Sequence, residues 1–291
     1  DGKNTYCFYP PEMTAKEKMR VDVESQLRRA LEREEISIYY QPIIDSKRGK
    51  IVKAEAFLRW DCESIGVISP DYFIPVAEET GLIIPISDWL IKTACRQVKQ
   101  WRDYGWRDIC ITMNVSARQL QSHSMLVKTL LHSLKENTLS ADAIQLELTE
   151  KTLIKEKDSC AETMALLADM GIKLLIDDFG TGDASLSNLL RYSFDAIKID
   201  SHYIKNVLVC EQDRRLVTAV IAMAKSLDVS VISEGVESKA QHDFLLKKAC
   251  EYLQGSYFSE PVKSDAFLVL LKNQDELKSN VRYLESAANL V

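Results

Sequence analysis

From about residue 36 onward, short β-branched runs alternate with amphipathic stretches of helical period, which narrows the folds open to the chain more than any other feature. The strand-like runs are ISIYYQPII (36–44), IVKAEAFLRW (51–60), ICITMNVS (109–116), IQLELTE (144–150), IKLLIDDFG (172–180), AIKID (196–200), VSVISEGVE (229–237) and YLQGSYF (252–258). SDWLIKTACRQVKQWRDYG, SMLVKTLLHSLKEN, CAETMALLADMG and DRRLVTAVIAMAKSLD between them read as helices. The first two runs are joined only by DSKRGK, shorter than the dozen or so residues of a parallel crossover, so they are expected to form an antiparallel hairpin. A length of 291 residues suits two ordinary domains or one barrel-sized domain. Eight strands alternating with helices predict an α/β fold, a (β/α)8 TIM-like barrel whose first strand runs antiparallel. An open doubly wound sheet is the rival, but no GxGxxG turn follows any strand.

The remaining composition sets outer limits. With 46% hydrophobic and 27% charged residues the chain is expected to bury a sizeable core. No apolar run approaches the roughly 18 residues that span a bilayer. A net charge of −6 argues against polymeric nucleic acid as a partner, although bound divalent cations can invert a local field. Seven scattered cysteines without a CxxC pair read as reduced thiols of a cytoplasmic domain. None of the four histidines has metalloprotease spacing, so any metal chemistry must use oxygen ligands. The opening DGKNTYCFYPPEM reads as the end of a preceding domain (residues 1–12). Residues 13–34 read as a charged helix with a stripe of Met19, Val23, Leu27 and Leu31, either a linker or the first helix of the domain filling 35–291.

Polar residues interrupt the strands at telling places. Glu55 lies in the second strand, Asn114 ends the third, and Glu147 and Glu150 end the fourth. Asp177 and Asp178 end the fifth, Lys198 lies in the sixth, Glu234 ends the seventh with Glu237 just beyond, and Gln254 follows the eighth. In a barrel the carboxyl ends of parallel strands converge on the catalytic face. Glu55, Asn114, Glu147, Asp177, Asp178, Glu234 and Gln254 are therefore expected to meet there, with Lys198 nearby. So many carboxylates repel unless cations join them. An oxygen-only set suits Mg2+ or Mn2+, and adjacent aspartates can serve two ions, Asp177 bridging and Asp178 binding one. Paired ions of this kind are the usual machinery for in-line displacement at phosphorus.

At these residues the chain closely resembles the EAL-domain family of cyclic di-GMP phosphodiesterases. The likeness runs over about residues 25–262 and is carried by YYQPI (39–43), AEAFLRW (54–60), FIPVAEETGLI (73–83), NVSARQL (114–120), LELTE (146–150), DDFGTG (177–182), KID (198–200), EGVE (234–237) and LQGSYFSEP (253–261). The resemblance implies hydrolysis of cyclic di-GMP to linear pGpG by a metal-activated water, with two Mg2+ or Mn2+ ions. It assigns one ion to Glu55, Asn114, Glu147 and Asp177, and the second to Asp177, Asp178 and Glu234. Lys198 would contact the catalytic water, so Lys198, Glu55 and Glu234 carry the chemistry. Gln41, Phe57, Arg59, Glu237 and Gln254 would face substrate, and Glu150 would anchor the loop after DDFG. The resemblance further implies a homodimer through the barrel and a GGDEF domain ahead of this one, with sensory domains and a membrane anchor both compatible with the whole protein. The chain departs from the family at Phe57, where leucine is usual, at Cys62-Glu63, at Asp183-Ala184-Ser185, where Tyr-Ser-Ser is usual, and at Ser256. These changes fall on the substrate side and in a loop, so the alternative is a weak or inactive cyclic di-GMP receptor.

Overall fold

A computed structural model describes residues 11–121, 123–155, 160–181 and 194–274. They divide into two compact units, one made of the residues up to Ser37 with Leu58–Ser87, the other of Ile38–Phe57 with the chain from Asp88 onward. The described residues form nine strands: β1 (Ile36–Asp45), β2 (Lys50–Cys62), β3 (Gly66–Ile68), β4 (Cys110–Asn114), β5 (Ile144–Thr149), β6 (Lys173–Phe179), β7 (Ala196–Ile199), β8 (Ser230–Ser233) and β9 (Tyr252–Gln254).

In the larger unit the strands close into the expected barrel. The order β1-β9-β8-β7-β6-β5-β4-β2 is completed by pairing of β1 with β2. Around the barrel from β2 to β4 and on to β9 every neighbouring pair is parallel, whereas β1 meets β9 antiparallel, with Ile43 opposite Gln254. Helices His123–Glu136, Ala161–Asp169, Glu211–Ser226, Lys239–Lys247 and Ser264–Asn273 supply the crossovers and the closing element. Outside the barrel wall Tyr40 meets Trp101 edge-on at 5.0 Å, and Trp101 stacks on Phe267 at 4.7 Å. The neighbouring Gln41 points the other way, as strand alternation requires.

Period two also explains the layering inside. Ile43, Leu175, Ala196 and Ile232 form a buried apolar plug with Tyr252 packed against it. On β6 to β9 the residue two places later on the same face is Asp177, Lys198, Glu234 and Gln254. On β1, which runs the other way, the polar residue Gln41 comes two places before the plug residue Ile43. The antiparallel strand thus delivers its side chain to the same end of the barrel as the others.

The smaller unit holds three departures from expectation. β2 extends to Cys62 and turns back as β3, a hairpin the sequence pattern did not show. Helix Pro70–Thr80, with proline in its first turn and Gly81 at φ 83° closing it, was likewise not read as an element. In helix Pro11–Ala30 the buried stripe is Val23, Leu27 and Ala30, while Met19 is exposed. Steps of four residues drift about 40° each around a helix, so the stripe cannot run from Met19 to Leu31 on one face. Trp60 anchors this unit by donating from Nε1 to Glu35 Oε2 at 3.0 Å and meeting Phe73 edge-on.

The runs VSVISEGVE and YLQGSYF yield only four and three strand residues, because Gly235 (φ 64°) and Gly255 (φ 153°) leave the extended conformation. A Cβ on Gly255 would lie 2.2 Å from the Val236 carbonyl oxygen, so glycine alone allows these two turns to meet. The six described cysteines are free thiols. Among the described residues no helix is long and apolar enough to cross a membrane. Residues 1–10 and Asp183-Ala184-Ser185 lie outside the described residues.

Candidate active site

The carboxyl ends of the barrel strands converge on Lys198. This lysine is fully buried, and its Nζ donates to Glu55 Oε2 at 2.9 Å and Glu147 Oε2 at 2.6 Å. It also pairs with Glu234 Oε1 at 2.5 Å and Asp177 Oδ1 at 3.4 Å. Burial works against the charged lysine, but Asp177, Glu147, Glu234 and Glu55 outweigh it and hold its pKa well above the ordinary value. Lys198 is thus a fixed cation and donor, placed among the carboxylates rather than beside them.

One cation does not satisfy four carboxylates. Burial, with Glu55 and Asp177 nearby, pushes Glu147 up to about 8 against the pull of Lys198. Burial likewise raises Glu234 well above its ordinary range, with Asp177 and Glu55 adding to the shift. Among the described residues Glu147 Oε1 is buried without a hydrogen-bond partner, as is Gln254 Oε1. Ligand oxygens of Glu55, Asp177 and Glu234 all lie within 4.8 Å of one another. Carboxylate oxygens this close, with orphaned oxygens beside them, fit hard divalent cations bound by oxygen. Glu55, Glu147, Asp177 and Glu234, with Asn114 and Asp178, would hold them.

The other expected residues divide by what they touch. Asn114 Nδ2 donates to Glu55 Oε1 at 3.2 Å from an exposed strand end. Gln254 is buried, and its Nε2 donates to both Glu55 Oε2 (2.7 Å) and Gln41 Oε1 (3.0 Å). Gln41 donates in turn to the Ser259 carbonyl at 3.0 Å. Glu237 is exposed, and its backbone N–H donates to Gln241 Oε1 at 2.9 Å. Phe57 is half-buried on β2. Arg59 belongs to the smaller unit, where Nη1 donates to the Leu58 carbonyl.

Asp178 occupies a corner. The register of β6 against β7 shifts between Ile176 and Phe179, and Asp178 adopts φ 55°. A left-handed conformation is uncommon outside glycine, though aspartate tolerates it, and such corners gather at functional sites. Its N–H donates to Asp177 Oδ1 at 2.9 Å. Burial, then Asp177 and Asp200, push its carboxyl up to about 6, against Lys198 and Lys151.

Just beyond, the Gly180 N–H donates to Glu150 Oε2 at 2.9 Å. Glu150 is buried and opens helix Glu150–Lys155 rather than ending β5. The Gly180 carbonyl accepts from the hydroxyl of Tyr203, a residue that sequence reasoning missed. Nothing in its local pattern marks it, since a tyrosine in the first turn of a helix reads as packing.

Comparison with known proteins follows the same lines. The family model described as "EAL domain" matches residues 24–261. The chain belongs to the EAL domain family. It is 36% identical over 267 residues to the bifunctional diguanylate cyclase/cyclic di-GMP phosphodiesterase MucR of Pseudomonas aeruginosa, covering 92% of this chain and 39% of that protein. It is also 36% identical to the cyclic di-GMP phosphodiesterase PdeR of Escherichia coli, covering 91% and 40%. The chain therefore spans about two fifths of the length of these curated relatives. A solved structure of the MucR phosphodiesterase in complex with cyclic di-GMP superposes with a TM-score of 0.80 at 35% identity, covering 84% of this chain and 99% of that one. Membership in the EAL family makes the acidic end of this barrel the place to look for its chemistry.

Proposed function

We propose that this EAL domain is a metal-dependent phosphodiesterase that opens one phosphodiester of cyclic di-GMP to give linear pGpG. The observation that carries this reading is the convergence of Glu55, Glu147, Asp177 and Glu234 around the buried Lys198 at the carboxyl end of the barrel. With Asp178, ionised carboxylates exceed the lysine by four charges, which is what two divalent cations carry. Mg2+ or Mn2+ would suit this donor set, and the reading assigns Asp177 to both ions. When bound, such ions lower the pKa of a coordinated water and neutralise charge developing on the phosphate oxygens.

The chain's own residues do the rest. Lys198, held charged, cannot act as a base, and with one of its carboxylate partners taken over by cations the freed N–H would donate to the attacking water or a phosphate oxygen. Glu55 and Glu234 hold one oxygen face of the reaction centre. Gln254, tied to Glu55, transmits the position of the nucleotide to a metal-binding carboxylate. Gln41, Phe57, Arg59 and Glu237 are assigned to substrate, Arg59 because its guanidinium is always charged and forked toward phosphate. Glu150 anchors the loop after Asp178 through the Gly180 N–H. Residues 1–12 are assigned to a GGDEF domain, 13–34 to a linker or first helix and 35–291 to the EAL barrel. The domain is assigned a cytoplasmic placement and a homodimer through the barrel.

The test is incubation of the purified chain with cyclic di-GMP and Mg2+ or Mn2+, followed by chromatography. Linear pGpG is expected from the wild type and not from Glu55→Ala. Tight binding with no product, even in Mn2+, would overturn the enzyme in favour of the receptor that Phe57 hints at.

A further inference from the structure

The corner that carries Asp178 is pinned from two sides. Gly180, at φ 98°, has its N–H held by Glu150 and its carbonyl held by the Tyr203 hydroxyl. The Tyr203 ring also covers the glycine, since a Cβ there would meet Cε2 at 3.1 Å. Tyr203 sits in helix Ser201–Asn206, which starts from Asp200, whose side chain accepts the His202 N–H at 2.9 Å.

The same short helix holds the loop that carries Glu234. Gly235 packs so closely that a Cβ would lie 2.6 Å from the Ser201 Cβ. Gln241, buried, donates from Nε2 to the Ile204 carbonyl at 3.1 Å and accepts the N–H groups of Glu237 and Ser238 at 2.9 Å each. Two acidic loops from non-adjacent strands, β6 and β8, are thus fastened to one brace. Asp178 needs such a fastening, because the like charges of Asp177 and Asp200 both act on it.

We infer that Tyr203 is a positioning residue: its hydroxyl holds the Gly180 carbonyl and so fixes the Asp177–Asp178 corner in register with Glu234. Its bearing on catalysis rests on the phosphodiesterase reading, but its bearing on the loop does not. Glu150 secures the Phe179–Gly180 peptide through its N–H, whereas the next peptide, Gly180–Thr181, is held on its N–H side only by a long 3.3 Å bond to the Asp178 carbonyl. With the Gly180 carbonyl also held by Tyr203, the peptides on both sides of Gly180 are fixed, and Asp178 two residues upstream is fixed with them.

Tyr203→Phe keeps the ring over Gly180 and removes only the hydroxyl, so it isolates the hydrogen bond. It is compared in the full chain with the wild type and with Tyr104→Phe, an exposed tyrosine. In metal-free protein, hydrogen exchange at the Gly180 and Thr181 amides is expected to quicken about tenfold in Tyr203→Phe, the loss of one ordinary hydrogen bond, and not in Tyr104→Phe. In an Mn2+ titration followed by calorimetry, the weaker ion is expected to bind about three- to tenfold less tightly, again in line with one hydrogen bond. With cyclic di-GMP, kcat should fall while KM stays. Unchanged exchange in Tyr203→Phe overturns the inference whatever the metal does, and unchanged Mn2+ affinity overturns its link to the acidic corner. A wild type that binds Mn2+ and cyclic di-GMP without turnover sinks the phosphodiesterase reading instead, and leaves the exchange and Mn2+ results to decide Tyr203.

Discussion

Among the described residues two lysines, Lys198 and Lys53, are buried inside the barrel, and they are opposites. Lys198 lies at the carboxyl end among four carboxylates, and its pKa is driven upward. Lys53, one layer below Glu55 on the same face of β2, donates to the neutral Gln145 Oε1 at 3.1 Å and sits 4.5 Å over the Tyr252 ring. Burial lowers its pKa, since its strand partner Cys110 and Glu147 do not offset the lost solvent. Burial alone therefore decides little about a charged group, and its neighbours set the sign. One lysine belongs to a site whose charge must be balanced, the other to packing that tolerates it.

The largest break in that contrast should come from Lys198→Met. Removing the cation leaves several buried carboxylates unpaired, which costs about 3–5 kcal/mol when one partner of a buried pair is lost. Urea unfolding at pH 7 measures it, and turnover should vanish. The loss should shrink as pH falls toward 5, because the stranded carboxylates then take up protons. A variant as stable as the wild type at pH 7 would mean the acids are neutral without the lysine.

Glu147 gives the next effect. Its pKa of about 8 in the folded state lies above the ordinary carboxylate value, so the folded chain binds a proton that the unfolded chain releases. This contribution is complete below about pH 4.5 and is lost as pH rises through about 8. Metal-free protein, held in a chelator, should therefore weaken between pH 5 and 8, and Glu147→Gln should flatten that fall. Divalent cations, which favour the ionised form, should reverse the slope if they bind here.

Lys53→Met is expected to be mild, within about 1 kcal/mol, because a buried charge without a charged partner is replaced by an apolar side chain of similar length. A loss as large as that of Lys198→Met would erase the comparison. Smallest is Thr112→Val. Thr112 is fully buried on β4 opposite Glu55, and its hydroxyl has no hydrogen-bond partner among the described residues. The change should shift stability by about 1 kcal/mol or less, because no hydrogen bond is broken.

Much of the barrel was legible because strand-like runs alternate with helical stretches along the sequence and several of those runs end in polar residues. The hairpin from β2 to β3 was not, since three residues around Gly66 carry too little pattern. Glu234 and Gln254 were read as strand ends, and the glycines after them shorten both strands. Lys198 was expected beside the acids, while the structure places it in their midst. Lys53 drew no attention at all, because a lysine in a strand normally snorkels to solvent.

The sequence by itself determined the period-two spacing between plug and acidic layer, the run of strand-terminal carboxylates and the membership in the EAL family. Those are local facts, written in alternation and motif. Tertiary structure decided which carboxylates share the lysine, that Asp178 turns a left-handed corner, and that Tyr203 reaches Gly180 from another crossover. Such contacts join residues far apart in the chain, and local propensity has no means of expressing a distance that only barrel closure creates.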